Sequence, residues 1–347
     1  MSLTLSKILR PRAGWYQGDF HAHTHHSDGY HSPADLLNTA RAEGLDFFAI
    51  TDHNTTTAYP EFGDPADILI IPGLEVTMDT GHYNVFGLTR QYDWLTEVNV
   101  WPNAAPQSTR LLMEQMGRDE LLVSINHPLL SPWAWLHPDT DLRRVHCLEI
   151  INDPSWDDNL QANPAAIAMW TDWLNAGLRL TAIGGSDYHH PRPRHAKNIA
   201  AERLGLPRTY VYAEALSGQA ILTGLLRRRV YVSMGPEVSF QAGINGQTYD
   251  IGADMGAQSS DITFTATVSQ APRGSTATII KNGERVAQTT INNEPARLHY
   301  QTQMTAAESA WFRLDVLSPD GAPLAVTNPI FGGTSRRPNR FTYGEFV

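Results

Sequence analysis

Cysteine is almost missing from this chain: one residue, Cys147, in 347. That excludes an internal disulfide and any cluster of metal-binding thiolates. Cys147 falls in the apolar run Val145 to Ile151 and reads as a packed core residue. A lone thiol suits a reducing compartment, so a cytoplasmic location is expected. Long hydrophobic runs are missing too. No stretch nears the roughly 18 apolar residues needed to span a bilayer, and the opening MSLTLSKILRPRAG has no signal-peptide core. Positive charge is in deficit, with 26 Lys and Arg against 36 Asp and Glu, for a net charge of −10. An acidic surface disfavours extended nucleic acid and anionic membrane as partners, yet it leaves room for a local basic pocket for one small anion. Internal repeats, charge blocks and low-complexity tracts are absent, as is any Gly-x-Ser-x-Gly elbow.

What is present is an ordinary globular composition, 41% hydrophobic and 18% charged, on a chain long enough for a large barrel and a smaller domain. From residue 15 to about 234, short apolar runs alternate with amphipathic segments. Ser32-Pro33 opens a helix that Gly44 closes. Strands are predicted at 46–51, 67–77, 82–88, 121–126, 146–151, 178–183, 209–212 and 230–233. Further helices are predicted at 108–116, 164–176 and 217–228. This alternation predicts parallel βα units. After Met234-Gly235-Pro236 the helical periodicity stops and short alternating runs take over, with Asn282-Gly283 as a hairpin signal. The expected organisation is a barrel over residues 1–235 followed by an antiparallel β-sandwich over 236–347.

Histidine supplies the chemistry. The stretch Asp19 to Asp28, DFHAHTHHSD, contains His21-Ala-His23, and alternation along an extended segment points both imidazoles the same way. Two nitrogens on one side suit a shared metal ion. Thr51-Asp52-His53, Asn126-His127-Pro128 and Ser186-Asp187-Tyr188-His189 each follow an apolar run, where barrel strands open onto their functional loops. Packing alone does not place His and Asp at successive strand ends, because unpaired buried charge is costly. Glu75, inside IIPGLEVT, is an acid in apolar surroundings and calls for a cationic partner.

Taken in this order, with Ser27-Asp28-Gly29 and Gly73-Leu74-Glu75, these motifs resemble the PHP (polymerase and histidinol phosphatase) domain family over roughly residues 15–235. The resemblance implies an α/β fold, a distorted (β/α)7 barrel, and two or three divalent ions of Mn, Fe or Zn. Trailing β-domains occur in some relatives, including a branch with carbamate-hydrolysing members. Carried over by position, it implies that His21 and His23 bind a first metal with Glu75 and Asp187. Glu75 would bridge to a second held by His82 and His127, while Asp28, His53 and His189 would hold a third. Asp28 stands where some relatives have His, and His82 is the position the pattern specifies least. Glu75, Asp187 and His189 are the implied catalytic residues, with Asp52 and Asn126 orienting ligands from behind.

Mixed imidazole and carboxylate donors suit Mn, Fe or Zn better than Mg. The expected activity is hydrolysis of a small phosphorylated metabolite or short nucleotide by water activated at the metals. The same metals can polarise a carbonyl, so cleavage of a carbamate, amide or carboxyl ester is an open alternative, as is a noncatalytic metal-binding interaction module. Arg192, Arg194 and Lys197 form a basic loop beside the Asp-x-His motif and are candidate substrate-binding residues, since guanidinium forks match phosphate oxygens. His25, His26 and His31 read as rim or surface residues, His137 and His146 as structural ones. Met113, Met116, Trp170 and Trp173 read as packing.

Overall fold

A computed structural model describes residues 4–105 and 109–347. The barrel is one curved sheet in the order Val230–Ser233, Arg208–Ala213, Gly14–Asp19, Phe47–Ile50, Leu69–Met78, Gly81–Phe86, Leu122–Ile125, Cys147–Asn152 and Thr181–Gly185. Eight of these nine strands lie within a few residues of a predicted run, whereas Gly14–Asp19 matches no predicted strand. The uniformly parallel arrangement expected from the sequence needs correction. Four pairings in this order are parallel, but Gly81–Phe86 runs antiparallel to both of its neighbours, and Arg208–Ala213 runs antiparallel to both of its own. The physical reason lies in the connections. Asp79 and Thr80 make too short a link for a crossover helix, so the chain must fold back as a hairpin, with Gly81 at φ 129°. Direction after a long connection, by contrast, is not written in an apolar run.

The ends of this order meet through side chains rather than a backbone ladder. Thr209 Oγ1 accepts from Gly184 N at 2.8 Å and donates to Gly184 O at 2.7 Å. Asn328 Oδ1 accepts from Ala182 N at 2.9 Å, while its Nδ2 donates to Ala182 O at 2.8 Å and Val230 O at 3.1 Å. A primary amide carries the same donor and acceptor as a peptide group, so Asn328 substitutes for a missing strand partner at this seam.

Helices flank the sheet. The first, Pro33–Ala42, is capped by Ser32, whose Oγ accepts from Asp35 N at 3.1 Å. The helix predicted at 108–116 spans Thr109–Arg118, and Ser108 lies outside the described residues. The helix predicted at 164–176 starts five residues earlier, spanning Asn159–Asn175 with Pro164 in its second turn. Asn163 supports this turn by binding Asn152 N and O at 3.0 and 2.8 Å. Met113, Met116, Trp170 and Trp173 all pack in one core cluster, as read.

Beyond Pro236, strands Glu237–Ile244, Gln247–Asp250, Ser260–Ser269 and Ala296–Met304 form one antiparallel sheet. Strands Thr276–Lys281, Glu284–Thr290, Ser309–Leu317 and Pro323–Thr327 lie across from it in a second layer. Alternate residues such as Phe240, Phe264, Phe312 and Leu314 fill the space between. Asn282 and Gly283 both take positive φ, 52° and 91°, as a two-residue hairpin loop requires. The second layer is continuous with the barrel, because Pro323–Thr327 pairs with Val230–Ser233. No helix among the described residues is long and apolar enough to cross a membrane.

Candidate metal centre

Beyond Asp19 the first barrel strand continues as an extended segment. Its even-numbered residues face the core, where the Phe20 ring lies 5.2 Å from Phe47 and 5.2 Å from Phe86. His21 and His23 therefore share the opposite side, with ring centroids 5.1 Å apart and both side chains buried. Glu75, in the Leu69–Met78 strand, projects to the same place and is wholly buried.

Around Glu75 the nine candidate ligands converge. His21 Nε2 is 3.2 Å from Glu75 Oε1 and 3.1 Å from Asp187 Oδ1. His23 Nε2 is 3.7 Å from Glu75 Oε2 and 3.1 Å from Asp187 Oδ1. His82 Nδ1 and His127 Nε2 lie 3.4 and 3.5 Å from Glu75 Oε1. His53 Nδ1 is 2.6 Å from Glu75 Oε2, and its Nε2 is 3.4 Å from Asp28 Oδ1. His189 Nε2 completes this last group, 3.3 Å from Asp28 Oδ1 and 3.5 Å from His53 Nε2. Trp101 stacks on His53 with centroids 5.3 Å apart. Two of the nine sit in left-handed backbone, His127 at φ 26° and Asp187 at φ 50°, a conformation uncommon for side-chain-bearing residues.

The charges are strongly coupled. Burial alone would raise Glu75, but the imidazoles of His21, His53 and His82 outweigh it and hold this carboxyl well below its usual range. Asp187 is likewise driven up by burial and pulled well down by His21, His23 and His189. His23 is pushed down to about 3, first by burial and then by the charges of His189 and His53. His189 moves the other way. Burial opposes its charge, yet Asp28, Asp187 and Glu202 raise it to about 10.

This donor set fits divalent cations. Buried His21 Nε2, His23 Nδ1, Glu75 Oε2, His82 Nδ1 and His127 Nδ1 all lack a hydrogen-bond partner among the described residues. Orphaned polar atoms are costly, and here they belong to residues gathered round one carboxylate. His53 Nε2 and His189 Nε2 face each other beside Asp28 Oδ1, where a proton satisfies one nitrogen and an ion satisfies all three atoms.

Residues behind the cluster fix its geometry. Asn126 Nδ2 donates to Glu75 Oε1 at 2.7 Å, orienting that carboxylate. Among the described residues, Asp52 makes no hydrogen bond to a ligand side chain. It accepts from Thr24 N, Thr24 Oγ1 and Ser27 Oγ at 2.7, 2.8 and 2.7 Å, fastening the loop that leads to Asp28. Two further acids went unread in the sequence. Glu149 Oε1 meets His21 Nδ1 at 3.0 Å, and its Oε2 accepts from His127 N at 2.8 Å. Glu202 Oε2 accepts from His189 N at 2.6 Å and His190 N at 2.8 Å. Glu149 carried the same signal as Glu75, an acid inside the apolar run HCLEII. Glu202, in an exposed-looking loop, carried none.

The opening is marked by exposure, since the side chains of Asp28, His189 and Asp187 are 46, 23 and 17% accessible whereas Glu75 has none. Loop 190–198 stands at this end. His190 packs on Tyr30 at 4.5 Å, and His195 on Trp156 at 5.7 Å. Arg192 and Arg194 are exposed, and their guanidinium groups have no partner among the described residues. Lys197 is engaged by Asp158 at 2.6 Å. Elsewhere, His146 Nδ1 accepts from Val123 N, and His31 Nε2 meets the Tyr188 hydroxyl at 2.9 Å; both are structural contacts.

A mixed α/β barrel whose strand ends gather imidazoles and carboxylates, followed by antiparallel sheets, defines the class: a metal-binding barrel with an appended β-sandwich. Residues 19–155 match the PHP domain family. Among solved structures, a two-domain Bacteroides vulgatus protein described as containing a predicted PHP-like metal-dependent phosphoesterase is 18% identical. It aligns over 95% of this chain and 100% of its own, with a TM-score of 0.51, a likeness of fold. A lesion-specific endonuclease from Pyrococcus furiosus is 16% identical, with 61% of this chain and 56% of that one aligned and a TM-score of 0.46. A Bifidobacterium adolescentis protein described as a metal-dependent phosphoesterase is 16% identical over 60% of this chain and 94% of its own, with a TM-score of 0.39. Comparison with curated protein sequences gave no match.

Proposed function

We propose that this chain is a metal-dependent phosphoesterase that hydrolyses a small phosphorylated metabolite or short nucleotide. The observation that carries the reading is the gathering of six imidazoles and two further carboxylates around buried Glu75, with His21 Nε2, His82 Nδ1 and Glu75 Oε2 buried there without a hydrogen-bond partner among the described residues. Divalent ions of the Mn, Fe or Zn type, when bound there, polarise a phosphoryl oxygen and lower the pKa of a coordinated water to about 7. His21, His23, Glu75 and Asp187 would hold one ion, Glu75, His82 and His127 a second, and Asp28, His53 and His189 a third.

The protein's own contribution is orientation and access. Glu149 keeps His21 in the tautomer whose Nε2 faces inward, and Asn126 aims Glu75. Asp187 and His189 stand at the opening, so the reacting phosphoryl group meets that side of the cluster first. Arg192 and Arg194, unpaired at the rim, would take its outer oxygens, and the Lys197–Asp158 pair braces the loop that presents them.

The test is hydrolysis of p-nitrophenyl phosphate, bis-p-nitrophenyl phosphate and p-nitrophenyl acetate with added manganese, iron or zinc. Phosphoester cleavage is expected, with KM raised at least tenfold in Arg192→Ala/Arg194→Ala. Hydrolysis of the acetate alone, indifferent to those arginines, would overturn the phosphoesterase reading and favour carbonyl chemistry.

A further inference from the structure

Three histidine and acidic side chains outside the central cluster also bring ligand atoms together. His25, His26 and Glu61 each offer one donor atom within 4.8 Å of the other two. His25 and His26 lie in the turn after His23, and Glu61 in the short helix Tyr59–Phe62. The His26 ring is fixed in place. Its Nδ1 meets Thr57 Oγ1 at 2.9 Å, and its backbone N donates to Thr24 Oγ1 at 3.1 Å. When Nδ1 donates to Thr57, the lone pair of Nε2 is left for a ligand, the usual arrangement behind a metal-bound imidazole.

That Nε2 is shielded from solvent, lies 3.0 Å from Glu61 Oε1, and yet makes no hydrogen bond among the described residues. Close approach without hydrogen-bond alignment is how two donors stand when both aim at a third point. The His25 ring stacks on His26 with centroids 4.8 Å apart and planes 19° from parallel, which brings a second imidazole alongside.

We propose that His25, His26 and Glu61 form an additional site for one exchangeable divalent ion, separate from the central cluster. Two imidazoles and a carboxylate select the zinc and copper class over magnesium or calcium, which prefer oxygen-rich sites. Three protein donors leave coordination positions for water, and the exposure of His25 and Glu61 makes this ion the easier one to exchange. Bound there, it ties the turn preceding Asp28 to the Tyr59–Phe62 helix.

The test uses zinc alone, titrated calorimetrically into the metal-free full-length chain and counted after equilibrium dialysis. The wild-type chain is expected to take up one zinc more than Glu61→Gln or His26→Ala, with the tightest binding phase unchanged in both variants. Should His26→Ala fail to fold, the solvent-exposed Glu61→Gln decides alone. Equal stoichiometry in wild type and Glu61→Gln overturns the proposal, as does loss of the tightest phase in a folded Glu61→Gln chain.

Discussion

Replacing Glu149 by glutamine changes one atom and poses a sharp question to the metal centre. Glu149 Oε2 accepts from His127 N at 2.8 Å and from Asn152 Nδ2 at 3.1 Å, while Oε1 meets His21 Nδ1 at 3.0 Å. A glutamine keeps the two Oε2 bonds only by placing its carbonyl oxygen there, which turns its NH2 toward His21 Nδ1. Nδ1 must then accept, so the His21 proton moves to Nε2, the atom that faces Glu75 and Asp187. A protonated Nε2 cannot bind a cation. The reverse rotamer spares His21 but leaves buried N–H groups of His127 and Asn152 facing another donor, at roughly 1–3 kcal/mol. Loss of such an outer partner typically costs about 10–100-fold in metal affinity, equivalent to about 1.4–2.8 kcal/mol. Calorimetric titration of Glu149→Gln with Mn2+, beside its circular dichroism spectrum, measures this directly. A natively folded variant binding manganese within twofold of wild type would refute the tautomer argument.

Two more consequences can be checked by unfolding experiments. Asn328→Ala strips hydrogen bonds from Ala182 N, Ala182 O and Val230 O at the barrel seam and is expected to cost about 2–4 kcal/mol in urea denaturation; a loss below about 1 kcal/mol would show that the seam closes without it. In the metal-free protein, His189 is raised from its ordinary 6.5 to about 10, so its contribution is complete below the lower value and lost as pH climbs through the upper. The Tm of chelated protein should therefore fall between pH 6.5 and 10, and saturating manganese should raise it and flatten that slope; a flat or rising profile without metal would contradict the charge pattern described for the cluster.

Local periodicity made most elements legible. Ser32-Pro33 and Gly44 bracket a helix because capping is a matter of neighbouring residues, and Asn282-Gly283 makes a hairpin because both positions take positive φ. The same holds for His21 and His23, whose common direction follows from the pleat of one extended segment. Strand direction was less legible. The run at Arg208–Ala213 says that it is a strand but not that it lies antiparallel to Gly14–Asp19.

By itself, then, the sequence determined most of the strands and helices, that an acid such as Glu75 in an apolar run demands a partner, and that no cluster of thiolates can form. Tertiary structure alone decided which of them meet. Glu149 reaches His21 across 128 positions, and Glu202 reaches the His189 backbone from a loop with no apolar signature. Asn328 closes a seam 146 residues away. Such contacts depend on sheet order, register and loop path, and these are set by the sum of many weak long-range packing terms that no short window of residues contains.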